Sequence, residues 1–513
     1  MRDKKILMIM LGSSFSPLLD TRLSIFPLLV IVFLALYAFR QKVEKVKYRN
    51  RVRVESNKFL FYLILSLRVS PNFEEAIRFA FENSDRSLQR EISPFLFKAT
   101  LGLTSYEKAL QEFAKKWNLE TFARVLPTIE SSVEMRFPER EQTLNEVTQQ
   151  LLEQEREEFF SFCSWLHSPL LILYSVCILL PIALLPALPV LSAFGFNLGT
   201  WGLLGFLVAA LLLTYFASQY LLAQSPFFHK FVPSRPPVSN ILLSLIGILP
   251  FPWLTGELKI WIPLWISALI FSFLLWDSSR RGAQERKKSL QMEEELPMVL
   301  KQVGGNLIKG QSAEEALRKV RGGELSELLQ KGSLNVMLGN LNLYSSLFDS
   351  REGVLRQIRS NEIKETLKLA LSIAKKSSDE SGRTLIKLSE HLANLQRVRR
   401  EGQHLLSNIV SSMRSLSLFF GPAILAITAR MLLLLQMKGT LLLSLSFDSS
   451  LLLLLLGIYC LGVCWILLTL CHRIGGGDEE TERYLLAKAL PLSLAVFTIF
   501  SLFGYQLVQS LVR

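Results

Sequence analysis

The chain is poor in the residues from which catalytic and metal sites are assembled. It has five cysteines and five histidines among 513 residues. Five cysteines in so long a chain make no disulfide framework. Cys177, Cys460 and Cys464 lie inside apolar runs, where a free cysteine behaves as a small hydrophobe. The histidines, at positions 167, 229, 391, 404 and 472, have no nucleophile or carboxylate beside them in a recognisable pattern. Also missing are a Gly-x-x-x-x-Gly-Lys-Ser/Thr loop to cradle phosphate, a His-Glu-x-x-His helix, a Gly-x-Ser-x-Gly turn and paired Cys-x-x-Cys units. The sequence therefore predicts no enzyme, no cofactor and no metal ion. Glycines 475 to 477, followed by Asp478, Glu479, Glu480 and Glu482, read as a flexible acidic loop without the spacing of a calcium loop.

Charge is scarce as well, at 20% of residues against about 25% in ordinary soluble domains. Half of the residues are apolar, which excludes a disordered chain and a plain soluble one. Apolar residues gather into eight runs near the length that crosses a bilayer. They are Leu23 to Phe39, Pro169 to Phe196, Thr200 to Ala223, a short one from Ile241 to Leu254, Ile260 to Trp276, Leu416 to Met437, Leu451 to Leu470 and Leu485 to Leu507. Prolines 169, 181, 186 and 189 are expected to kink the second.

The charge that exists is partitioned. Residues 40 to 164 hold 20 basic and 19 acidic side chains, and residues 277 to 414 hold 24 and 17. Each block predicts a water-facing domain between membrane segments. Basic residues crowd directly behind the first run (Arg40, Lys42, Lys45, Lys47, Arg49, Arg51, Arg53) and behind the fifth (Arg280, Arg281, Arg286, Lys287, Lys288). The positive-inside rule puts both blocks in the cytoplasm. The net charge of +13 thus becomes an orientation signal and not a sign of nucleic-acid binding.

Weak internal similarity recurs at a nearly constant step. Glu74-Glu75-Ala76-Ile77 matches Glu314-Glu315-Ala316-Leu317 at 240, and Thr143-Leu144 matches Thr384-Leu385, Arg156 matches Arg397 and Pro181 matches Pro422 at 241. Ser105, Glu107 and Leu110 match Ser350, Glu352 and Leu355 at 245. Both blocks have helical periodicity: Phe73, Ile77, Ala80 and Phe81 share one helix face, and so do Leu367, Ala370, Leu371 and Ala374. The expectation is an all-α polytopic membrane protein with about eight transmembrane helices and two cytoplasmic helical-bundle domains related by internal repeat. Its parts are an anchor over 1–39, a first bundle over 40–164, a membrane hairpin over 165–223 and a spacer hairpin over 224–276. A second bundle over 277–414, a hairpin over 415–471, and an acidic loop with the last span over 472–513 complete it.

Few side chains stand out as functional. Arg397, Arg399 and Arg400 sit near the membrane end of a helix over Leu385 to Leu406, either snorkelling to the interface or forming a protein-docking face. His391 and His404, on the same helix, are expected to be partly exposed. Arg430 places an ionisable group well inside a run. It either snorkels to the outer headgroups or faces the bundle and meets an acidic group on a partner's membrane helix.

Lys309-Gly310-Gln311-Ser312-Ala313-Glu314-Glu315-Ala316-Leu317 and Gly382-Arg383-Thr384-Leu385 resemble motifs of the type II secretion system F-domain family. Its members are the polytopic platform proteins of type II secretion, type IV and Tad pili and archaella. The likeness covers about residues 56 to 190 and 293 to 437. The first copy departs from it with Ser70-Pro71-Asn72 and Glu141-Gln142 where the family tends to have glycine. The resemblance implies a non-enzymatic, homo-oligomeric assembly platform in the cell membrane. It would dock a hexameric secretion ATPase on its bundles and pass the motor's work to pilin-like or archaellin subunits among membrane lipids, with no nucleic acid involved. A transporter built from two repeated halves is the competing reading.

Overall fold

The structure is a computed structural model, which describes residues 25–193, 200–224, 258–338, 342–349, 353–358, 360–374, 378–437 and 449–512. Among these, all regular structure is helical. Six helices are long and apolar enough to cross a membrane: Phe137–Ala187, Gly202–Gln224, Trp261–Ile308, Asp379–Leu433, Leu451–Ile474 and Glu479–Gly504. They carry the second, third, fifth, sixth, seventh and eighth apolar runs, so the chain is a membrane protein by length and composition of its helices. The first run opens a helix at Ile25, and the fourth lies outside the described residues.

The chain divides into two compact units, Met1–Tyr48 and Arg49–Arg513. The boundary falls within α1 (Ile25–Val69). In the first unit Arg40 pairs with Glu44 one turn on, 3.2 Å apart.

In the second unit α2 (Phe73–Glu82), α3 (Arg86–Thr100), α4 (Tyr106–Trp117) and α5 (Glu120–Ser131) are short and amphipathic. They bury one face each around Phe113 and Phe122, whose rings lie 5.9 Å apart, with Phe59 of α1 stacked on Phe122. A 38-residue helix follows, α6 (Phe137–Tyr174), which runs through a five-residue π turn, Ser175–Leu179, into α7 (Leu180–Ala193). Next comes α8 (Thr200–Gln224).

The second half has a similar order. After α9 (Leu258–Ile308) come the short helices α10 (Ala313–Arg318), α11 (Glu324–Leu338), α12 (Leu343–Phe348) and α13 (Asn361–Ala374). Another 38-residue helix, α14 (Ser378–Ser415), passes through a π turn, Leu416–Phe420, into α15 (Gly421–Met437). The last helices are α16 (Ser449–Ile474) and α17 (Glu479–Val512). The long helices and the π turns of the two halves start 241 residues apart. The capping residues Asn72 and Ser312, whose side-chain oxygens accept from Glu75 N–H and Glu315 N–H, are 240 apart. Pro181 and Pro422 are each the second residue after their π turn. The 245-residue match falls partly outside the described residues. Ser105 caps α4, but Ser350 and Glu352 lie outside the described residues and α12 already starts at Leu343.

The two departures from the glycine pattern have physical counterparts. α9 ends on Gly310, with φ +79°, whose N–H donates to Leu307 O while Gln311 N–H donates to Asn306 O; a left-handed residue of this kind favours glycine. α1 ends instead because Pro71 disfavours helical backbone at Ser70. Where α9 crosses α14, Gly304 and Gly382 touch: a Cβ on Gly304 would meet Gly382 O at 2.7 Å, and one on Gly382 would meet Gly304 O at 2.6 Å. The corresponding crossing of α1 and α6 holds an ion pair. Buried Arg68 donates to Glu141 at 2.7 Å and to Asn145 at 2.9 Å. Glycines bring the two backbones together at one crossing, and an arginine with a carboxylate occupies the other.

The bundles share a core through α1. Phe61 and Leu65 belong to the buried cluster that Leu296, Leu300, Leu325, Leu329, Leu367 and Leu385 form in the second half. The next residues along α1, Leu60, Leu63, Ile64 and Leu67, are buried too, so this stretch is covered all round.

The α9–α14 crossing predicts a pair of opposite effects. Gly304→Ala should lower thermal stability in detergent by about 1–3 kcal/mol through overpacking. Gly305→Ala, where an added Cβ meets nothing within 4 Å, should raise it by about 0.5–1 kcal/mol.

Candidate functional site

The charged halves of α6 and α14 meet side by side before both helices enter their apolar segments. Arg156 of α6 pairs with Glu401 of α14 at 3.2 Å. Three residues on, buried Phe159 occupies the space that a side chain at position 402 would need, so Gly402 admits its ring. Farther along, the first π turn approaches the start of α15, with Ile178 Cδ1 3.0 Å from the position of a Cβ on Gly421. The residues that face each other in these contacts lie 243 to 245 positions apart.

The candidate arginines occupy different settings. Arg399 donates to both carboxylate oxygens of Glu362 on α13, at 3.2 and 3.3 Å, and is half-exposed. Arg400 pairs with Glu294 of α9 at 3.1 Å, and both side chains are largely exposed. Such a pair contributes about 1 kcal/mol or less and exchanges easily. Arg397 is exposed and has no ion pair among the described residues. The three therefore form no single face: Arg399 ties α14 to α13, Arg400 ties it to α9, and Arg397 is open to solvent.

Arg430 faces inward and does not snorkel. It is 6% exposed on α15 and its Nε donates to Ser501 Oγ of α17 at 2.9 Å. A hydroxyl, and not a carboxylate, is the partner at that atom. Proline chemistry is answered in a similar way. Pro181 has no N–H to offer Cys177 O, and the phenol of buried Tyr459 on α16 donates to that carbonyl at 2.5 Å. Pro181 is accommodated by the π turn and this hydrogen bond.

Other sequence expectations change. His391 is buried, not partly exposed, because its ring stacks on Phe61 at 3.6 Å. Burial pushes its pKa down to about 3, and Nδ1 has no hydrogen-bond partner. His404 is exposed. The acidic stretch after Gly475 is tied down and is not a free loop. Asp478 and Arg286 of α9 form an ion pair, Arg473 donates to Glu482 at 2.7 Å, and Gln403 of α14 donates to Gly475 O at 3.2 Å. No group of three or more His, Cys, Asp or Glu that could hold a metal ion occurs among the described residues.

Glu155, on the charged part of α6, carries no sequence signal. Burial pushes its carboxyl up to about 7, Glu158 reinforces the shift, and the charges of Arg399 and Lys58 and a hydrogen bond with Asn57 oppose it. It stands where α1, α6 and α14 converge. Compared with known protein families, with curated proteins and with solved structures, the chain matches none.

The Glu155 environment predicts a pH dependence. Folded protein holds this proton to about pH 7, while an unfolded carboxyl releases it near 4.5, so stability falls as pH rises through that window. Thermal melting in detergent at pH 5 and pH 8 should show Glu155→Gln losing less stability between the two than the wild type, by on the order of 1–3 kcal/mol.

Proposed function

We propose that the chain is an assembly platform of a type II secretion or type IV pilus-like machine in the cell membrane, with both bundles cytoplasmic. In this reading an ancestral bundle and its membrane hairpin were duplicated. The halves now stand as a pseudo-symmetric pair around the α6–α14 contact. One observation carries the proposal: two 38-residue helices, 241 positions apart, each run from a water-soluble bundle through a π turn into an apolar segment. A continuous helix of that kind transmits a displacement of its bundle to its span, which is what a motor-driven platform requires. The basic residues behind the first and fifth runs support the cytoplasmic assignment. A hexameric secretion ATPase would bind the bundles. Pilin-like or archaellin subunits would contact the spans, and the platform would function as a homo-oligomer.

The transporter reading draws on one observation, the inward-facing Arg430 within a span. The two readings separate on partners. The detergent-solubilised full chain should retain a hexameric secretion ATPase from the same cell in a pull-down. Arg397→Glu should weaken that retention about tenfold, which corresponds to about 1.4 kcal/mol. Arg400→Glu, whose native partner is Glu294, should weaken it less. Failure to retain any such ATPase, together with a co-purifying solute lost in Arg430→Met, would favour transport.

A further inference from the structure

A cavity of about 530 Å³ opens between α9 and α17, at the level where both helices change from charged to apolar. Trp276, Arg280, Gln284 and Lys287 line it from α9, at steps of three and four residues that define one helix face. Thr481 and Tyr484 line it from α17. Trp276 closes the fifth apolar run and Tyr484 immediately precedes the eighth, so the two aromatic rings mark one depth. Each has a cation on its face: Arg280 lies 4.9 Å from the Trp276 ring centre, and Lys488 lies 4.3 Å from that of Tyr484.

Charge pairing separates this group from its neighbours. On the same helices, the end of α16 and the turn before α17, Arg286 pairs with Asp478 and Glu293, Arg473 with Glu482, and Arg483 with Glu479. Glu480 packs its carboxylate against Gly282 instead of the cavity. Arg280, Lys287 and Lys488 have no ion-pair partner among the described residues, and no acidic side chain lines the cavity. On the apolar side of the aromatic pair, Leu269, Phe273 and Leu492 are exposed and continue the surface along the same two helices.

We propose that this cavity binds the phosphate headgroup of an anionic phospholipid, with the acyl chains lying along the exposed apolar surface of α9 and α17. Unpaired cations offer the phosphate charge and hydrogen bonds, Gln284 and Thr481 supply neutral donors, and the Trp276–Tyr484 pair sits where indole and phenol partition in a bilayer. The continuity with a lipid-facing surface favours a lipid over free inorganic phosphate. By holding α9 to α17, the bound lipid would clamp the helix that leads into the second bundle onto the last span.

Native mass spectrometry of the full chain from mixed micelles of phosphatidylglycerol and phosphatidylcholine tests this directly. The wild type should retain phosphatidylglycerol preferentially. Substituting Arg280→Gln, Lys287→Gln and Lys488→Gln together should reduce that retention about tenfold. Arg281→Gln with Lys288→Gln, two exposed cations of α9 outside the cavity, should leave it unchanged. Equal loss in both variants would reduce the effect to general surface charge and overturn the site. Displacement of the retained lipid by millimolar inorganic phosphate would assign the site to the free anion and overturn the lipid. Wild-type melting provides a measurement independent of variant folding: phosphatidylglycerol should raise the transition by several degrees over phosphatidylcholine, and no difference would sink the proposal.

Discussion

The structure depends on helices that change solvent along their own length. In α6, and in α14 with the α15 that continues it, a charged stretch comes first and an apolar one last, yet the backbone stays helical from one to the other. A continuous helix lets a chain leave a water-soluble bundle and enter hydrocarbon without exposing peptide groups. The helices therefore act as shared rods. Their watery parts anchor bundles, their apolar parts belong to the membrane core, and whatever pairs them side by side determines how the halves are joined. Gly402 with Phe159 and Arg156 with Glu401 make that pairing, one by shape and one by charge.

Where the rods enter the apolar core, both halves loosen by one π turn just ahead of a proline. A proline removes one hydrogen bond, and in hydrocarbon the orphaned carbonyl has no water to turn to. The Tyr459 hydroxyl supplies the missing donor for Cys177 from another helix. Arg430 with Ser501 is a second polar contact inside the same core. Polar groups in this core thus join helices that are far apart in sequence, and a wrongly packed bundle would leave them unsatisfied.

Much of the architecture was legible in sequence because it follows from composition along one axis. Apolar runs, charged blocks and helical periodicity identified six of the segments that are helical and long enough to cross a membrane. The constant step near 241 pointed at the long helices and their prolines. What failed was the assignment of faces. His391 looked like a partly exposed helix residue, yet Phe61, 330 positions earlier, covers it. Arg399 looked available for a partner, and Glu362 from α13 holds it. The acidic stretch near Asp478 looked loose, and Arg286 of α9 ties it. In each case the deciding residue comes from another helix.

The sequence by itself determined which segments are apolar and where charge is concentrated. These are local properties, set by solvent transfer and backbone sterics within one element. Only the tertiary structure decided that Gly304 meets Gly382, that Arg68 fills the α1–α6 crossing with Glu141, that Arg430 turns inward, and that Arg280 and Lys287 line a cavity whose Tyr484 carries Lys488 on its ring. Those outcomes depend on which helix lies alongside, and contacts between distant segments leave no periodic mark in either segment alone.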